Sequence, residues 1–162
     1  MARFARAAAL AFAAAGSAHA FDPADCAGFS SADAARFLGV PAAQAIRTVG
    51  KVTPSLWTCS YGAGRSAPAI AFSLEVAPNP KKAAEQMESY RDNLVIAAET
   101  PQHRGRLPKG AFSDVMGLGD EAVWTDVNDS LTVRKGRITM QLTLPKPKAD
   151  RLRLAQALLA KL

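Results

Sequence analysis

The chain has 162 residues, with 20 Lys and Arg against 14 Asp and Glu, a formal net charge of +6, two histidines and two cysteines. That length holds one domain with a substantial core and is short for two. The basic excess is spread through "HRGRLPK", "VRKGR" and "KPKADRLR" without interleaved aromatics, which argues against a nucleic-acid stripe and for a solvated basic surface.

Residues 1–20, "MARFARAAALAFAAAGSAHA", read as a secretory signal peptide. Arg3 and Arg6 form a basic start, Ala7 to Gly16 an apolar stretch, and Ala18-His19-Ala20 an A-x-A cleavage site. The apolar stretch is about half the ~20 residues a membrane span needs, so no transmembrane anchor is expected in the mature form. A lipid anchor would need a cysteine at the cut, whereas Cys26 follows only after "FDPAD". The expectation is one exported domain, residues 21–162, soluble in the periplasm or secreted, with His103 as its single histidine.

Cys26 and Cys59 are then the only sulfhydryls of an exported chain, and an even pair in an oxidising compartment is most simply a structural disulfide. The two lie 33 positions apart, a loop whose closure is worth about 3.5–4 kcal/mol in the chain-entropy account. Two thiols with one distant histidine make a poor zinc set, and C-x-x-C is absent, so no metal or redox site is expected.

Along the chain, "FSSADAARFLGVP" gives a short helix. Ser30 caps it, Asp33 completes a capping box, Gly39 and Pro41 end it, and Ala34, Phe37 and Leu38 form its inner face. "AAQAIRTVGKVTPS" is ambiguous and allows a short irregular strand. "LWTCSYG" alternates, with Leu56, Thr58 and Ser60 opposite Trp57, Cys59 and Tyr61. "GAGRSAP" turns the chain, and "AIAFSLEV" returns with Ile70, Phe72, Leu74 and Val76 on one side. In "PNPKKAAEQMESYRDNLVIAAE", Asn79 caps a helix, Pro80 takes its first position, and Ala83, Met87, Tyr90, Leu94 and Ala97 form its stripe. "TPQHRGRLPKGAF" is a loop.

"EAVWTDV", "SLTVRK" and "RITMQLTLP" follow as three strands joined at Asn128-Asp129 and Lys135-Gly136. A last helix, "KADRLRLAQALLAKL", buries Leu152, Ala155, Leu158, Leu159 and Leu162. "SLEVAPNPKKAAEQM" and "QLTLPKPKADRLRLA" echo each other as strand, proline-punctuated turn, then helix. The reading is α+β: a largely antiparallel sheet with packed helices and a pseudo-duplicated order of elements.

Common catalytic signatures are missing. "GAGRSAP" lacks both the nucleophile elbow and the ending of a phosphate loop, and no H-E-x-x-H, EF-hand or haem-attachment motif occurs. In "MGLGDEAVW", Gly117 and Gly119 permit a sharp turn, Asp120 is placed to bond nearby amides, and strand alternation sends Glu121 away from Ala122 and Trp124. The two acids are expected to point apart and to serve structure, not to flank a substrate as glycosidase carboxylates do.

Cys26 leading into "SSADAARFLG", then "CSY", then "GLGDEAVW" before paired strands and a terminal helix, resembles the extracytoplasmic domains of unknown function found in many actinobacterial lipoproteins, which are similar to the mycobacterial kinase sensor domain. The resemblance spans most of residues 21–162. It implies an α/β sandwich of the Mog1/PsbP-like kind and no established catalytic residue. The chain departs from it in having no cysteine at the signal cut.

The functional expectation is a non-catalytic exported module that binds an envelope protein or a small ligand, needs no cofactor, and uses the turns at 62–66 and 117–120 with the loop at 101–111. Arg65, His103, Asp120 and Trp124 are the candidate contact residues, with Trp57, Tyr61 and Trp124 lining an apolar groove or filling the core. The rival readings are a small hydrolase using Asp120, Glu121 or His103, and an inhibitor or assembly factor of an envelope enzyme.

Overall fold

The protein's structure is a computed structural model, and it describes residues 22–62, 69–99, 112–126, 128–144 and 147–162. The signal segment, Arg65 and His103 lie outside the described residues, as do most of the turn after residue 62 and the loop at 101–111.

Among the described residues, seven strands form one sheet in the order β1-β2-β3-β7-β6-β5-β4, and every neighbouring pair is antiparallel. They are β1 (Ile46–Thr53), β2 (Leu56–Gly62), β3 (Ile70–Val76), β4 (Phe112–Asp114), β5 (Glu121–Thr125), β6 (Ser130–Lys135) and β7 (Ile138–Leu144). Three helices accompany them: α1 (Ser31–Leu38), α2 (Pro80–Glu99) and α3 (Lys148–Leu159). The chain is an α+β fold. Two meanders, β1-β2-β3 and β5-β6-β7, meet along β3 and β7, and each is followed by a helix, as the internal echo implies. The helices take opposite faces of the sheet, so the halves differ in packing.

One face is apolar. Cys59, Tyr61, Phe72, Leu74, Trp124, Leu131, Val133, Met140 and Leu142 project from it into a single buried cluster. α1, α3 and a 3-10 segment at Pro23–Gly28 cover it. Phe29, Tyr61 and Phe72 form its aromatic centre, with Phe29 edge-on to Tyr61 at 5.4 Å. The Tyr61 hydroxyl donates to the Phe29 carbonyl, and burial pushes its phenol well above the ordinary range despite the opposing pull of Arg47. The disulfide Cys26–Cys59, with Cα atoms 5.8 Å apart, ties the 3-10 segment ahead of α1 to β2.

Local signals explain the helix ends. Ser30 and Asp33 make the reciprocal capping box of α1, and Gly39 ends it in the left-handed region. Lys82 donates its amide to Asn79 Oδ1 at the start of α2. Burial raises the Asp33 carboxyl, but the Ser30 amide and hydroxyl and the Lys161 ammonium outweigh it and bring its pKa down to about 2.

Three expectations change. The segment before β2 is an eight-residue edge strand, not a short one, because β2 pairs with it along its length; the expected irregularity is a register shift between Lys51 and Thr53. A three-residue strand, β4, precedes the Gly-Leu-Gly turn. In α3 the buried positions are Arg151, Leu154, Ala155 and Leu158, while Leu152, Leu159 and Leu162 are only half-buried. The stripe is rotated because Arg151 is drawn inward over the Trp124 ring.

Candidate functional site

The Gly-Leu-Gly turn builds a clamp. A Cβ on Gly119, whose φ is +66°, would lie 2.5 Å from the Arg134 carbonyl oxygen, so only glycine lets the turn press onto β6. The Asp120 amide donates to that carbonyl at 2.8 Å. Asp120 Oδ2 accepts from the Gly136 amide at 2.7 Å and from Arg134 Nη1 at 2.9 Å, which locks the β6–β7 turn. Glu121 Oε1 accepts from Arg134 Nε at 2.8 Å, with Nη2 at 2.7 Å. The two acids therefore do not point apart. They converge on one guanidinium, because the bend at Asp120 swings its carboxylate round to where strand alternation sends Glu121. Arg91 on α2 adds a second cation, paired with Asp114 and 3.7 Å from Glu121 Oε2.

Trp124 is 3% exposed, beneath α3 on the opposite side of the sheet from Glu121. Its indole N–H donates to Asp126 Oδ1 at 2.6 Å, and Lys148 and Arg151 lie over its ring at 4.7 and 5.0 Å. Tyr61 is fully buried and Trp57 half-buried. The aromatic trio fills and edges the core and does not line an open groove. The structure thus does not bring Asp120 and Trp124 to one site. Among the described residues no group of three or more His, Cys, Asp and Glu is placed to hold a metal ion, and no helix is long and apolar enough to cross a membrane.

A different place gathers polar groups: the face of the sheet that carries α2. Strand periodicity puts Ser73 and Glu75 of β3, Thr139 and Gln141 of β7, and Thr132 of β6 on this face. The buried side chains there, Ala83, Met87 and Val123, lie outside the main apolar cluster. Between α2 and these strands lies a cleft of about 220 Å³. Ser73, Glu75, Gln86, Tyr90, Thr132 and Thr139 supply its polar wall, and Leu56 and Met87 an apolar one.

Four oxygens in that wall, Gln86 Oε1, Tyr90 Oη, Thr132 Oγ1 and Thr139 Oγ1, are shielded from solvent and have no hydrogen-bond partner among the described residues. Thr132 as a whole is 4% exposed. A buried polar group without a hydrogen bond costs about 1–3 kcal/mol, so four around one cleft mark a concentration of unmet bonding capacity. Gln86 is oriented by its Nε2, which donates to Glu75 Oε1 at 3.0 Å and leaves the amide oxygen turned the other way. Ser73 and Gln141 also border a shallower groove of about 250 Å³ with Thr58, Ser60 and Thr143, so the polar surface continues past the edge of α2.

Sequence reasoning missed this cleft. Its signal is the recurrence of Ser, Thr and Gln at alternating positions of four strands, which reads equally well as a solvent-facing surface. Comparison with family models, characterised proteins and solved structures finds no match for this chain.

Proposed function

We propose that this protein is an exported, non-catalytic binding module that takes a small polar ligand into the cleft between α2 and the sheet. The observation that carries the reading is the set of four shielded side-chain oxygens around that cleft, each without a hydrogen-bond partner among the described residues. A hydroxyl-lined wall under a helix is destabilising to an isolated fold and is useful where a polar molecule completes its hydrogen bonds. The commitment of Asp120 and Glu121 to Arg134 supports binding over hydrolysis, since neither carboxylate is left to act as a free acid or base. The signal-like leader, the disulfide and the resemblance to extracytoplasmic domains support export to the periplasm or beyond.

The test is chemical-shift mapping of the mature, oxidised protein against a panel of small polar metabolites. The expected outcome is that at least one perturbs the amides of Thr132, Thr139 and Tyr90 together, and that this response disappears in the Thr132→Val, Thr139→Val double variant. Perturbations confined to the Asp120 turn, or a response that the double variant retains in full, would move the site elsewhere.

A further inference from the structure

Resting on that binding reading, we infer that the cleft selects a short primary amine, with its ammonium seated against Glu75. The charge inventory is the first ground. Among the described residues Glu75 is the only charged side chain lining the cleft and no Lys, Arg or His borders it, in a chain carrying 20 Lys and Arg. Among the described residues no cation pairs with Glu75, whose hydrogen-bond partner is the neutral Gln86 amide. An anionic ligand meets repulsion there and no compensating charge, whereas a cation supplies the counter-charge that a half-buried carboxylate lacks.

Hydrogen-bond polarity is the second ground. A carboxylate only accepts, and Gln86, with its nitrogen already donating to Glu75, presents its oxygen and so also accepts. The hydroxyls of Tyr90, Thr132 and Thr139 accept as readily as they donate. The Gln141 amide on the same wall can both donate and accept, so the groups fixed as acceptors, the Glu75 carboxylate and the Gln86 oxygen, set a demand for donors. An ammonium carries three N–H donors and no acceptor, which matches that demand better than a hydroxyl, with one donor.

Size and shape are the third. The cleft of about 220 Å³ holds about seven water-sized groups at roughly 30 Å³ each, enough for a short stem and a second polar group. Leu56 and Met87 give that stem an apolar wall; Thr139 is the cross-strand neighbour of Glu75, so its hydroxyl sits beside the ammonium, while that of Thr132, one strand further across the sheet, can bond the second polar group.

The experiment compares ethanolamine with its uncharged isostere ethylene glycol, and with glycolate as the anion, by chemical-shift titration of the mature, oxidised protein. Ethanolamine is expected to bind at least tenfold more tightly than ethylene glycol, with shifts at Thr132, Thr139 and Tyr90, and glycolate not to bind. Glu75→Gln is expected to erase the ethanolamine advantage. Should that variant not fold, raising salt serves on the native protein: it is expected to weaken ethanolamine and leave ethylene glycol unchanged. Equal binding of the two, or a Glu75→Gln variant that keeps the preference, overturns the ammonium assignment while leaving the cleft a binding site. Silence of the cleft residues toward all three, and toward the wider panel, overturns both readings.

Discussion

Arg151 is completely buried, and its guanidinium forks onto the carboxylate of Asp129, with Nη1 3.2 Å from Oδ1 and Nη2 3.2 Å from Oδ2. The same guanidinium donates to the Asp129 carbonyl and lies 5.0 Å from the centre of the Trp124 ring. One side chain thus fastens α3 to the β5–β6 turn, where Asp129 holds a φ of +50°. Arg151→Ala removes both the fork and the packing over the Trp124 ring, and is expected to cost about 3 kcal/mol, or roughly 10 °C in Tm. Arg151→Lys is expected to recover less than half, because an ammonium cannot make the forked contact. Urea unfolding of the three proteins checks both statements.

Gly119 is the second position where one atom decides stability. A methyl group there meets the backbone oxygen of Arg134, which cannot move without dragging β6 and the Asp120 clamp with it. Gly119→Ala is expected to cost about 2–4 kcal/mol, combining the left-handed backbone penalty with the clash. Gly117, at φ +76° with open space around its α-carbon, is expected to tolerate alanine at about 1 kcal/mol. Thermal unfolding of the pair separates steric approach from backbone conformation: equal losses would refute the role given to the Arg134 carbonyl.

These two positions show what was legible in the sequence and what was not. Elements governed by local chemistry could be read: the Ser30–Asp33 box, the Asn79 cap, the alternation of β2 and β3, and the Cys26–Cys59 pairing. Failures came where a distant element sets the outcome. Arg151 reads as a solvated charge on a helix until Asp129 and Trp124 are seen beneath it. Asp120 and Glu121 read as divergent until Arg134, 14 and 13 positions away, gathers them. The candidate cleft is the same case on a larger scale. Strand periodicity identifies the polar face, but only the path of α2 distinguishes a covered wall from open surface.

Cys26 and Cys59 are both buried, and together they pin the 3-10 segment on which Phe29 is carried into the core. Replacing both cysteines with alanine is expected to lower unfolding free energy by about 3–4 kcal/mol, largely through the freer unfolded chain. The β5–β7 half is separated from β2 by β3 in the sheet order, so its amides are expected to keep more of their exchange protection than those around Phe29 and α1. Hydrogen exchange of the oxidised protein and the double variant measures the difference.

Asp33 gives the structure an acid-sensitive joint between α1 and the C-terminal Lys161, whose Nζ lies 3.0 Å from Asp33 Oδ2. Its folded pKa of about 2 lies below the ordinary 3.8, so its contribution is complete above the ordinary value and is lost as pH falls through the folded one. Asp33→Asn is expected to be less stable than the native protein by an amount on the order of 1 kcal/mol at pH 6, after allowance for solvent screening. The gap is expected to close between about pH 4 and pH 2. A difference that stays constant across that interval would assign the loss to packing instead of charge.

The cleft makes its own prediction about stability in the absence of ligand. Thr139 Oγ1 is shielded without a hydrogen-bond partner among the described residues, and valine has the same shape with a methyl group in place of the hydroxyl. Exchanging an unbonded buried oxygen for a methyl removes a desolvation cost and leaves packing intact. Thr139→Val is therefore expected to raise unfolding free energy by about 0.5–1.5 kcal/mol, whereas the same exchange at Thr125 is expected to lower it by about 1–2 kcal/mol. Thr125 is fully buried where Thr139 is half-buried with its oxygen shielded, and the Thr125 hydroxyl is bonded to Ser130 Oγ at 2.9 Å and to Asn128. Opposite signs at two threonines of one face, each with a shielded hydroxyl, would mark position 139 as kept for what it binds, a trade of stability for function that a purely structural hydroxyl does not make. Equal losses at both would show the Thr139 hydroxyl to be satisfied within the fold, and would remove one of the four oxygens on which the site is built.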